Sequence, residues 1–260
     1  MTRDIFDWNK SKQLSVMQMI LAFALPSVVA YIGFRILLPI LVETGTPSII
    51  AWPTIASAML LLLVAAAFVL LHKEAKQLDI SLISRMCFMR LSYKQWIIYI
   101  AIMIAGLMAT ILAKELVLPF MKITGLSVPD SMPFMLNPAI DPAKADPNVL
   151  SPGFPLKGQF LLLPLWAITL LLNIMAEELY FRAWLLPKMS KYGNMGWVLN
   201  GTLFALYHTF QFWLFPLILI GSLFMAFVTF KSRSILPPMA AHLIANFLIS
   251  ILGLFILVLG

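Results

Sequence analysis

The sequence predicts an all-α protein, a polytopic bundle of about seven transmembrane helices with a range of six to eight. Three observations carry this. Of the 260 residues, 62% are apolar and only 11% are charged, whereas a soluble domain carries about 25% charged residues. The mean hydropathy is +0.95. The apolar residues also lie in long blocks, as bilayer spans require. Helices are expected throughout, because a helix satisfies its own backbone hydrogen bonds in lipid. This composition excludes a soluble globular enzyme, a disordered chain and a nucleic-acid-binding module, so no nucleic-acid partner is expected. The whole chain, 1–260, is read as one transmembrane domain.

The first apolar block covers 16–42. It follows Arg3, Lys10 and Lys12, and Ser27-Val28-Val29-Ala30 resembles a weak cleavage site. Asp4 and Asp7 interrupt the basic stretch, however, and the apolar run is too long for a signal peptide. A retained span is expected. Further spans are read at 51–71, 95–119, 159–186, 195–213, 214–230 and 235–259. The fifth and sixth are separated only by Gln211 and Pro216, which is why the count has a range.

Orientation follows from the basic residues, which collect on the cytoplasmic side of membrane proteins. Twelve of the 18 Lys and Arg lie at the N-terminus or in the loops after spans two, four and six, three on the other side, and three inside spans. The N-terminus is therefore expected in the cytoplasm and the C-terminus outside. The same bias accounts for the net charge of +7. The loop from 121 to 158 has seven prolines between Pro129 and Pro155, with Asp130, Asp141 and Asp146. Proline at this density opposes a long helix, and an extended, tolerated outside loop is expected. The lone Cys87 forms no intramolecular disulfide and reads as an ordinary apolar side chain.

Ionisable groups inside spans are costly and ask for a reason. Arg35, Lys114 and Glu115 lie near span ends, where long side chains reach the interface. The fourth span differs, reading Asn173-Ile-Met-Ala-Glu177-Glu178-Leu-Tyr-Phe-Arg182. On an α-helix Glu178 and Arg182 share a face and are expected to pair. Glu177 is rotated by about 100° and is left to face another partner. Two carboxylates in unequal surroundings suit acid–base work.

Two of the three histidines add to this. His72 ends span two beside Lys73 and reads as interfacial, but His208 lies in span five and His242 in span seven. Asn246, four residues after His242, shares its face. At 1.5 Å per residue Glu177, His208, His242 and Asn246 lie roughly 15, 20, 10 and 16 Å from the cytoplasmic ends of their spans. A carboxylate beside an imidazole can deprotonate a water, and His and Asn donors can stabilise an oxyanion. The set suits hydrolysis of an amide or ester. Glu177, His208 and His242 would equally make a His₂-carboxylate zinc site, although the His-Glu-x-x-His pattern is lacking. Zinc therefore stays open.

The motifs Glu177-Glu178-x-x-x-Arg182, Phe204-x-x-x-His208 and His242-x-x-x-Asn246 resemble those of the CPBP intramembrane proteases. That family includes the type II CAAX prenyl endopeptidases and the bacterial Abi, or bacteriocin-immunity, proteins. The resemblance implies a helical membrane protease whose core is about 159–250, with a cavity opening to the cytoplasmic side. It implies Glu177 and His208 as activators of water, His242 and Asn246 as the oxyanion hole, and Glu178 and Arg182 as supporting residues. It leaves metallo- and glutamic-type hydrolysis open. The implied substrate is a membrane-bound peptide or lipidated protein chain end, met in the membrane lipid of a prokaryotic plasma membrane. A second class also fits the residues: a non-catalytic membrane binding or immunity protein, or a small carrier, using the buried Glu, His and Arg to relay protons or fix packing. A carrier is expected to show matched halves, and the sequence has none.

Overall fold

The computed structural model describes residues 6–141, 145 and 150–260. Arg3 and Lys144, counted in the charge bias, and Asp146 lie outside the described residues. Six helices are long and apolar enough to cross a bilayer: α1 (Val16–Glu43), α2 (Ser48–Gln77), α3 (Tyr93–Thr124), α4 (Leu162–Tyr192), α6 (Thr209–Ser232) and α7 (Leu236–Leu259). Between α4 and α6 lies a shorter helix, α5 (Met195–Tyr207). Among the described residues there is no strand.

The starts of these helices are written locally. Ser15 and Gln18 form a reciprocal cap at α1, with Ser15 N–H donating to Gln18 Oε1 at 2.9 Å and Gln18 N–H to Ser15 Oγ at 3.3 Å. Ser92 and Gln95 repeat the arrangement at α3. Gly125, at φ +70°, ends α3 in the left-handed conformation that glycine adopts without strain.

Lipid supplies little hydrophobic drive for helix pairing, so close packing has to do it. A Cβ on Gly201 of α5 would stand 3.0 Å from Leu223 Cα of α6, so the missing side chain sets how near these two helices lie. Helix α4 is the hub. Half of its most apolar stretch is buried, against 17–28% for the other five spans. The outward faces carry exposed apolar side chains such as Leu21, Leu61 and Leu112, as a lipid-facing surface should.

The fifth expected span is corrected. Helix α5 has 13 residues, about 20 Å at 1.5 Å each, too short for a hydrocarbon core of about 30 Å. The remainder of the expected span falls in Thr209–Leu214, a 3-10 turn that forms the start of α6. Gln211, which reads as a break between two spans, has non-helical angles inside that turn.

The two ends of the bundle differ in chemistry. At one end the N-terminal segment lies across the end of α4. Leu14 N–H donates to Lys188 O at 3.0 Å, Gln13 Nε2 donates to Pro187 O at 3.1 Å, and Phe6 and Trp8 are buried. At the other end Gly158 N–H donates to Val258 O at 2.8 Å. The proline-rich loop does more there than hang outside. Its Phe134, Leu150 and Leu156 pack with Ile49, Trp166 and Leu254, and Trp213 Nε1 donates to Leu136 O at 2.9 Å.

Charges at the first end are also more organised than a solvated basic loop. Arg85 is fully buried and Lys188 nearly so. Arg85 donates to Glu74 Oε2 from Nε at 2.8 Å and from Nη2 at 2.5 Å. Lys188 pairs with Glu74 Oε1, to which Trp184 Nε1 also donates at 3.2 Å. Cys87 is buried beside this cluster. Burial pushes its thiol up to about 11, against the pull of the Arg85 charge.

Candidate active site

Helix α4 changes character at the glutamates. Leu162–Glu177 is α-helical and Glu178–Leu185 is π-helical. A π turn bonds i to i+5 and occurs mostly as a single turn at functional sites. Its carbonyls are gripped from outside. Asn200 Nδ2 of α5 donates to Phe181 O at 2.9 Å, and Arg85 Nη1 donates to Ala183 O at 2.7 Å. A buried amide on one side and a buried guanidinium on the other thus hold the widened turn.

The widened turn alters the pairing expected within the helix. Among the described residues Glu178 and Arg182 form no ion pair. Residue i+4 sits over residue i in an α-helix, but not where bonds run to i+5. Arg182 is fully buried with its guanidinium over the Phe204 ring, 4.3 Å from the centroid. Glu178 turns instead to α7, where its Oε1 lies 3.4 Å from His242 Nδ1.

Glu177 faces two histidines from two other helices. His208 Nε2 is 3.6 Å from Oε1, and His242 Nε2 is 3.8 Å from Oε2. All three residues are buried. His208 ends α5, where the helix gives way to the 3-10 turn, so its ring projects from a helix terminus. Its Nδ1 is 2.9 Å from Phe204 O. A carbonyl only accepts, so Nδ1 carries the hydrogen and Nε2 is the face turned to Glu177. Asn246 sits one turn beyond His242, in a second π-helical turn over Leu243–Leu248.

Glu177, His208, His242 and Asn246 all line one cavity of about 770 Å³. Its walls are otherwise mostly apolar, with Leu63 and Leu70 of α2 and Met103 and Leu107 of α3 among them. Glu178 and Arg182 are not on its surface. Asn173, to which the sequence assigns no role, does line it, and donates from Nδ2 to Glu177 Oε1 at 2.8 Å. Its signal in the sequence is the i to i+4 spacing from Glu177 on an apolar helix.

Among the described residues no three His, Cys, Asp or Glu side chains are arranged to hold a metal ion. The two histidines lie nearest different oxygens of Glu177. As they stand, the three side chains are not grouped to hold the ion.

The polytopic helical bundle thus carries a carboxylate and two imidazoles on the wall of an apolar cavity. Residues 159–248 match the family described as type II CAAX prenyl endopeptidase Rce1-like. The matched segment contains all three motifs, and it is the family that those motifs resemble. The match points to a membrane protease. Neither a curated protein nor a solved structure matches the chain.

Proposed function

We propose that the protein is an intramembrane endopeptidase. It hydrolyses a peptide bond near a membrane-bound or lipid-modified chain end, with segment 159–250 as the protease core of a single transmembrane domain. The observation that carries this reading is the flanking of Glu177 by the Nε2 atoms of His208 and His242, at 3.6 and 3.8 Å, on the cavity wall. Those distances exceed a hydrogen bond and suit a water or substrate oxygen that bridges the groups from the cavity side.

A water bridging Glu177 Oε1 and His208 Nε2 gives a proton to the carboxylate, and its oxygen attacks the scissile carbonyl carbon. The oxygen of the tetrahedral intermediate turns to Asn246 and to His242 Nε2, which stabilise its charge. His242 turns Nε2 toward that oxygen and Nδ1 toward Glu178. Glu177 returns its proton to the leaving nitrogen as the C–N bond breaks. No Ser or Cys takes part, so no acyl-enzyme forms.

The apolar cavity favours a substrate with a lipid chain beside its peptide. The bundle end bearing most of the Lys and Arg faces the cytoplasm, with the C-terminus outside, in a prokaryotic plasma membrane. The test is cleavage of lipid-modified fluorogenic peptides by purified protein in detergent. Glu177→Gln and His208→Ala are each expected to lower kcat by about a hundredfold or more while the amount of folded protein is kept. Full activity in both variants would overturn the reading.

A further inference from the structure

Glu177 is surrounded by groups from three helices, yet only one of them touches it. Both histidine nitrogens stand off, at 3.6 and 3.8 Å. Among the described residues the single direct hydrogen bond to the carboxylate comes from Asn173 Nδ2, at 2.8 Å to Oε1. Asn173 lies in the last α-helical stretch of α4, one turn before the π turn begins at Glu178. The donor therefore sits on the regular part of the helix, and the carboxylate it holds sits at the junction.

A carboxylate oxygen has two acceptor positions. Asn173 occupies one on Oε1, and the other is left on the side of His208. Without that bond nothing within hydrogen-bond reach fixes the carboxylate. It could then turn toward a direct hydrogen bond with His242, displacing a water that bridges the groups from the cavity. An amide is suited to the task because it neither gains nor loses a proton near neutral pH, so it donates unchanged through each step. Asn173 also lines the cavity and is only partly buried, so a bond formed for packing alone would be an odd use of that position.

We infer that Asn173 is a positioning residue: it orients the Glu177 carboxylate and keeps it at a stand-off from His208 and His242. This rests on the reading of Glu177 as the base. Asn173→Leu removes the donor at nearly constant size, Asn173→Asp keeps the shape but sets a second carboxylate against the first, and Asn173→Gln keeps the amide on a longer stem. The Leu and Asp variants are expected to lose about tenfold to a hundredfold in kcat, with KM changed by no more than about twofold. The Gln variant is expected to recover part of kcat. A packing role alone would instead lower the melting temperature and the folded yield, leaving kcat per folded molecule unchanged.

The two failures are separable. If Glu177→Gln is inactive while Asn173→Leu keeps the wild-type kcat and KM, the positioning role is overturned and the protease reading stands. If wild type and Glu177→Gln do not differ, or wild type cleaves none of the lipid-modified peptides, both fall. A rise in KM at constant kcat would also overturn the inference, because it would mean that Asn173 binds substrate rather than orienting the base.

Discussion

His242 Nδ1 faces Glu178 Oε1 at 3.4 Å across the gap between α7 and α4. The second glutamate of the adjacent pair is thus turned away from the cavity and toward the ring of a histidine that reaches it. A carboxylate behind an imidazole fixes the ring and its protons. Glu178→Gln is therefore expected to slow cleavage about tenfold to a hundredfold, less than Glu177→Gln. Both are read as kcat/KM on one peptide. Equal losses in the two variants would mean that Glu178 takes part in the chemistry directly.

Glu74 stands between two buried cations, accepting from Arg85 at 2.5 and 2.8 Å and pairing with Lys188. Removing one partner of a buried ion pair leaves uncompensated charge, a cost of about 3–5 kcal/mol. Glu74→Leu would strand both cations and is expected to cost at least about 3 kcal/mol. Because Arg85 also holds Ala183 O in the π turn, activity should fall with stability. Thermal unfolding in detergent beside a cleavage assay checks this, and a fully active variant of unchanged melting temperature would contradict it.

Much of this was legible in the sequence for a simple reason. In an apolar chain each buried Glu, His, Arg or Asn stands out, so Glu177, His208 and His242 could be picked before their contacts were known. The helical character of the spans follows from lipid alone. What stayed hidden depends on departures from regular helix geometry or on distant contacts. The Glu178–Arg182 pair was reasoned from a period of 3.6 residues, which fails where α4 turns π-helical. Helix α5 merges with α6 in composition because the break at His208 and Gln211 is a change of backbone angles. Arg85 and Lys188 read only as cytoplasmic loop charges, since Glu74 lies far from Lys188 in sequence.

Gly201 tests how tightly the His208 helix is held. A methyl group there would meet Leu223 Cα at 3.0 Å and Cδ2 at 2.9 Å. The side-chain atom can move, but the backbone atom moves only with α6. Gly201→Ala is expected to destabilise the protein by about 1–3 kcal/mol through this overpacking. It should also lower activity, since α5 would shift and carry His208 from Glu177. Melting temperature and kcat, measured together, check both effects.

Cys87 offers a probe of folding that leaves the site alone. Its thiol is buried, and burial raises its pKa to about 11. At pH 8 the native thiol is thus protonated, whereas an unperturbed cysteine near 8.5 is partly thiolate. Maleimide labelling of the folded protein at pH 8 is expected to be at least about a hundredfold slower than after unfolding in SDS. Fast labelling of the native protein would show that the segment after Arg85 opens readily.

The response to chelators separates two readings of Glu177, His208 and His242. In a metal site the two imidazoles and the carboxylate would direct lone pairs to one point, and removing the ion would abolish hydrolysis. Here His208 addresses Oε1 of Glu177 and His242 addresses Oε2, while the other nitrogens face Phe204 O and Glu178. That division suits a base and an oxyanion donor on either side of one carboxylate. Cleavage by protein treated with 1,10-phenanthroline and passed through a desalting column is accordingly expected to match the untreated rate. A loss of activity restored by stoichiometric zinc would overturn the metal-free reading.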